Sequence, residues 1–148
     1  MNVEVKKITY LDTFSVRSAV LRQGKPIEAC FFLGDDDEET THFGLFNDNN
    51  LIGVASIFKA QNEIFEKNNQ FQLRGMAILN EFQGLGFGNI LLKEVCKFLE
   101  TKNVEVLWFN AREKAVSFYQ NFGFQVVGNS FEIPEIGTHF VMFKCFVV

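Results

Sequence analysis

Apolar residues recur along this chain with two periods, and the changes of period mark its elements. Val3 to Ile8 predicts a first strand, and Phe14, Val16, Ala19, Val20 and Leu21 return with roughly helical spacing, predicting a helix over 11–22. A stretch without period follows. His42 to Phe46 and Leu51 to Phe58 are extended apolar runs separated by Asn47-Asp48-Asn49-Asn50, a composition that favours a tight hairpin turn. Phe71 to Leu79 predicts a fourth strand. The helix expected over Leu85 to Lys102 carries Leu91, Val95, Phe98 and Leu99 on one face of a 3.6-residue period. Val104 to Phe109 is short and rich in Val and aromatics, as in a strand covered on both faces. A helix over Ala111 to Phe122 repeats Ala115, Phe118, Tyr119 and Phe122, and Gly123 ends it. Strands near Phe124 to Gly128 and Thr138 to Val147 complete an α/β pattern, a mixed sheet flanked by helices.

Composition narrows the class. A chain of 148 residues, 47% hydrophobic and with 19 Phe, is expected to form one domain, residues 1–148, around an aromatic core. A net charge of −4 without a clustered basic patch argues against nucleic acid as a partner. No run is long and apolar enough to cross a bilayer, and MNVEVKKITY lacks the apolar centre of a signal peptide, so no membrane association is expected. Cys30, Cys96 and Cys145 are odd in number and form no Cys-x-x-Cys pair, suggesting neither a disulfide scaffold nor a metal site. A cytoplasmic setting fits. The run Asp35-Asp36-Asp37-Glu38-Glu39 is either a solvated loop or an attraction for an amine-bearing substrate, and with the net charge it tilts the expected partner toward cations.

The most specific chemistry lies at the junction FQLRGMAILNEFQGLGFG, residues 71–88, where an extended apolar run ends in Gly84, Gly86 and Gly88 before a helix. Glycines there let the backbone turn several N–H groups toward one point, and the helix N-terminus adds its partial positive charge, a combination that holds phosphate. Asn89 after Gly88 excludes a P-loop, and Gly-x-Gly-x-Gly is not the dinucleotide fingerprint. An ordinary strand-to-helix connection is the alternative.

Gln83-x-x-Gly86-x-Gly88 closely resembles the acetyl-coenzyme A pyrophosphate loop of the GNAT superfamily of N-acetyltransferases. AREKAVSFYQNFGFQVVG, about thirty residues on, resembles the family's Ala-x-x-Phe-Tyr-x-x-x-Gly-Phe signature. The similarity extends through Leu21 to Pro26, His42-Phe43-Gly44 and Gly137-Thr138-His139, covering nearly the whole chain. It implies a mostly antiparallel sheet of about seven strands with a splayed parallel pair. It also implies acetyl transfer from acetyl-coenzyme A, as cosubstrate and without a metal, to a primary amine on a small molecule or peptide.

The resemblance further implies roles for individual residues. Backbone groups of Met76, Ala77 and Ile78 bond the pantetheine arm, and an N–H at a distortion of that strand faces the thioester oxygen. Backbone N–H groups of Gln83, Gly84, Leu85, Gly86, Phe87 and Gly88 hold the pyrophosphate, and Asn110 reaches the pantetheine or, alternatively, caps the next helix. Tyr119, protonated at neutral pH, donates to the departing sulfur; otherwise it belongs to the helix's buried stripe. The general base is open among Glu28, His42, His139 and a water chain. Asn80 stands where the family often has proline. Neither motif contains a cysteine, so direct transfer is expected. A coenzyme A-binding sensor without catalysis is the alternative function, and exposed aromatic strands at the C-terminal end are compatible with a homodimer.

Overall fold

In the computed structural model, which describes residues 2–146, one sheet is built from β1 (Val3–Ile8), β2 (Thr41–Asn47), β3 (Asn50–Lys59), β4 (Gln70–Ile78), β5 (Val106–Arg112), β6 (Gln125–Ile133) and β7 (Gly137–Cys145). The expected last-strand residue Val147 lies outside the described residues. Helices α1 (Tyr10–Val20), α2 (Phe87–Thr101) and α3 (Val116–Phe122) connect them. The strand order is β1-β2-β3-β4-β5-β7-β6, and every pairing is antiparallel except that of β4 with β5. The expected seven-stranded mixed sheet is therefore present.

Local chemistry explains most boundaries. Thr9 caps α1 reciprocally: its hydroxyl accepts from the Asp12 N–H at 3.2 Å, and the Asp12 carboxylate accepts from the Thr9 N–H at 3.0 Å. Asp48 and Asn49 turn the β2–β3 hairpin with φ of 49° and 71°, the two left-handed residues that such a tight turn requires. Helix α2 starts at Phe87, later than expected, because Gly84 and Gly86 have φ of 77° and 88°. The expected helix over Ala111 to Phe122 is shorter still. β5 continues through Arg112, pairing Asn110, Ala111 and Arg112 with Val141, Phe140 and His139, and α3 begins only at Val116. Cross-strand pairing with β7 overrides the helical period there.

The two sheet faces bury different things. Under α2, Leu91, Leu92, Val95 and Leu99 are fully buried against Phe43, Leu45, Ile57 and Leu73. On the α1 face, Val16, Val54 and Ala77 pack beside a buried ion pair. Arg17 donates through Nη1 to Asp35 Oδ2 at 2.6 Å and through Nη2 to Oδ1 at 3.0 Å, and also to the Cys30 carbonyl and Ser56 Oγ. The inward stripe of α1 is Thr13, Val16 and Arg17, not the apolar set that its sequence suggests.

Strand β4 is broken by a bulge. Val54 pairs with Ala77 and Ser56 with Arg74, so Gly75 and Met76 together face Ala55. The extra residue reverses the strand's parity. Leu73 belongs to the core under α2, whereas Ala77 packs on the α1 face. Gly75 has φ 67°, and a Cβ there would lie 2.8 Å from Phe32 Cε2 and 3.3 Å from Arg17 Nε. Gly75→Ala should therefore lower unfolding free energy by about 1–3 kcal/mol through backbone strain and overpacking. Unchanged stability in denaturant titration would contradict this packing.

Candidate functional site

The parallel pairing of β4 and β5 stops at Gln72 with Trp108. Beyond that point β4 bends at its bulge while β5 stays paired with β7, and the strands part. The backbone edge of β4 from Leu73 to Ile78 thus loses its ladder partner on that side. A cleft of about 540 Å³ opens there, lined by Phe109 to Arg112 of β5, by His139 paired with Arg112 across on β7, and by Arg22 and Phe32. A second lobe of about 400 Å³ lies over the glycine loop. The lobes share Met76, Ala77, Ile78, Gln83 and Tyr119, so one path runs from the loop to the parted strands.

In the loop, Gly84 and Gly86 serve by dihedral angle, since both are left-handed and a Cβ at either would meet open space. The N–H groups of Gly84, Leu85, Gly86, Phe87 and Gly88 have no backbone acceptor among the described residues and collect at the start of α2. The side-chain amide of Gln83 donates to the Ile78 carbonyl at 2.8 Å and Asn80 Oδ1 at 3.1 Å, tying the loop to the end of β4. Phe87 anchors it from inside the core, while Leu85 is exposed. Gly88 has a different reason from its neighbours: a Cβ there would come within 3.1 Å of the Phe118 ring, so this glycine lets α3 dock against α2.

Tyr119 projects from α3 into the junction of the lobes, packed on Phe109 at 4.4 Å between ring centroids. Among the described residues its hydroxyl makes one hydrogen bond, to the Met76 sulfur at 3.8 Å, a weak acceptor. Burial pushes the phenol up to about 12, so it keeps its proton. Asn110 lines the cleft from within β5. The cap alternative is thereby set aside, because the residue before α3 is Ala115.

The candidate bases separate clearly. Glu28 lies exposed on the short 3-10 turn Ile27–Cys30. His42 is buried outside the cleft: Nε2–H donates to the Asp35 carbonyl at 2.9 Å and Nδ1 accepts from Ser56 Oγ at 2.6 Å. His139 lines the cleft and donates from Nδ1 to the Gly137 carbonyl at 2.8 Å, which leaves Nε2 as the acceptor nitrogen. Asp35 is buried with Arg17 and unavailable to any cationic ligand; only Asp36 to Glu39 of the acidic run are exposed.

The acetyltransferase (GNAT) family model matches residues 5–124. The chain belongs to that family. It is 34% identical over 142 residues to an uncharacterized N-acetyltransferase, YitI, of Bacillus subtilis (strain 168), covering 96% of this chain and 95% of the relative. Its fold is similar to the ribosomal-protein-S18-alanine N-acetyltransferase of Escherichia coli, with TM-score 0.78, 16% identity and coverage of 97% and 94% of the two chains. An aminoglycoside 6'-N-acetyltransferase complexed with coenzyme A gives TM-score 0.79 at 9% identity, covering 98% of each chain. This GNAT chain is an acetyl-coenzyme A-dependent N-acetyltransferase.

Several cleft residues of this GNAT domain carried no signal in the sequence reading. Phe32 comes from the stretch without period, and Gln72, Arg74 and Gly75 interrupt the apolar run of the predicted fourth strand ahead of the glycine turn. An isolated glycine in a strand pattern is a bulge signal.

Burial holds the His42 pKa below its ordinary 6.5, so folding favours the neutral ring. Its contribution to stability is present above about pH 6.5 and is lost as pH falls toward the lowered value. Melting temperature should fall on acidification below that pH, and His42→Gln, which retains a donor and an acceptor, should flatten the fall. Parallel curves for the two proteins would contradict the assignment.

Proposed function

We propose that this chain transfers acetyl directly from acetyl-coenzyme A to a primary amine, with Tyr119 as the acid. The observation that carries this reading is Tyr119, which lines the cleft between the parted strands and whose hydroxyl has a sulfur atom as its one hydrogen-bond partner among the described residues. Acetyl-coenzyme A supplies the thioester. The donors of Gly84 to Gly88, at the positive end of α2, suit a pyrophosphate, and Gln83 keeps that loop in place. The free edge of Met76, Ala77 and Ile78 suits an amide-bearing arm, with the Asn110 side chain opposite.

At the bulge, a backbone N–H released from strand pairing stands where negative charge develops on a carbonyl oxygen, the role of an oxyanion donor. The Tyr119 proton passes to the departing thiolate. His139 is the one of the three candidate side chains placed to take the amine's proton, through Nε2. Direct transfer is supported by the cysteines. None lines the cleft, and Cys96 is buried with its thiol pushed up to about 11. Three free cysteines also suit a reducing cytoplasm.

Tyr119→Phe should lower the rate of coenzyme A release by about 10²-fold while leaving coenzyme A affinity, measured by calorimetry, nearly unchanged. Full activity in this variant would remove Tyr119 from the chemistry. Coenzyme A binding without turnover in the unaltered enzyme, across amines and peptides, would favour a sensor.

A further inference from the structure

The walls of the larger cleft are cationic. Arg22, Arg74, Arg112 and Lys114 line it, and among the described residues no Asp or Glu does, although the whole chain carries a net charge of −4. Around Phe32 the imbalance is local and partly buried. Three guanidinium groups surround its ring, Arg17 at 3.9 Å, Arg22 at 5.0 Å and Arg74 at 5.1 Å from the centroid. The one carboxylate there, Asp35, is already taken in bidentate fashion by Arg17. Arg22 donates to the carbonyls of Ala29 and Leu21. Arg74 has no hydrogen-bond acceptor among the described residues and rests between Phe32 and Phe58, 5.0 Å from the latter ring.

A half-buried guanidinium without an anion is costly. Burial lowers the Arg74 pKa, yet arginine keeps its charge, so the imbalance remains until an anion arrives. Its planar donor fork and flanking aromatic rings match a carboxylate. The interval from Arg74 to Met76 on the same strand spans the bulge, so it is shorter than the two-residue rise of a regular strand. An acceptor spanning that interval has its amine and its anion only a few bonds apart.

We infer that the acetyl acceptor is a short amine that carries a carboxylate, an amino acid with its carboxylate on Arg74. This rests on the acetyl-transfer reading above and makes polyamines poor acceptors, since the cationic wall repels them.

The test measures coenzyme A release with the common L-amino acids, their carboxamides, spermidine, and 2-aminoethyl phosphate. At least one amino acid should exceed its carboxamide and spermidine by about 10- to 100-fold in kcat/KM, the worth of a charge-assisted pair. In Arg74→Met, KM for that amino acid should rise by a similar factor with little change in kcat, and Arg74→Lys should recover part of the loss. Binding is followed independently as a rise in melting temperature when the amino acid is added to the enzyme with coenzyme A, a rise that Arg74→Met should abolish.

Equal use of the carboxamide or spermidine, or an unchanged KM in Arg74→Met, would overturn the inference and leave acetyl transfer standing. Preference for 2-aminoethyl phosphate over every amino acid would overturn the carboxylate. No release with any amine would count against acetyl transfer itself. In that case the melting experiment still decides, because absence of a carboxylate-dependent shift overturns the Arg74 site.

Discussion

The site depends on one irregularity, the bulge at Gly75 and Met76 in β4. A regular strand would continue its ladder with β5 and leave no opening in the sheet. The extra residue bends β4, reverses its alternation, and turns Met76 and Ile78 toward the core under α2 while Ala77 faces α1. The two lobes of the cleft meet where the strands part, beside Tyr119. Only a glycine fits at the bend, since its φ is left-handed and Phe32 and Arg17 press against its missing side chain.

That bend is held from below by the buried Arg17–Asp35 pair. A fully buried ion pair is weak evidence of net stability, but removing one partner leaves an uncompensated charge at a cost of about 3–5 kcal/mol. Here the pair joins four segments: α1, the turn at Cys30, the Asp35 loop and β3 through Ser56. His42 extends the network by accepting from Ser56 and donating to the Asp35 carbonyl. The loop that carries Phe32 is thereby fixed against Gly75. Asp35 shapes the larger cleft without lining it.

The fold was legible where pattern and position agree. The hairpin at Asp48 and Asn49, the buried face of α2 and the termination of α3 at Gly123 follow from turn chemistry and period. The glycine turn before α2 and the position of Tyr119 on the cleft were legible because both depend on local order. What escaped had non-local causes. Strand β5 extends to Arg112 because β7 offers partners, and nothing in residues 110–112 announces that. Arg17 sits on the inward stripe of α1 only because Asp35, eighteen residues on, folds back to meet it. The same distance effect takes Asp35 out of the acidic run, whose other members, Asp36 to Glu39, are exposed as a solvated loop would have them. Gly88 reads as a third loop glycine, yet its constraint is the Phe118 ring on another helix.

The central claim is that the cofactor lies along the freed edge of β4 and ends at the N-terminus of α2. Amide hydrogen exchange with and without coenzyme A tests it most directly, because it reports on the backbone donors themselves. Binding should slow exchange in Met76–Ile78 and in Gly84–Gly88 together, while the edge strand β6 is unaffected. Protection of neither segment under saturating coenzyme A, or of the loop alone with Met76–Ile78 unchanged, would contradict the account.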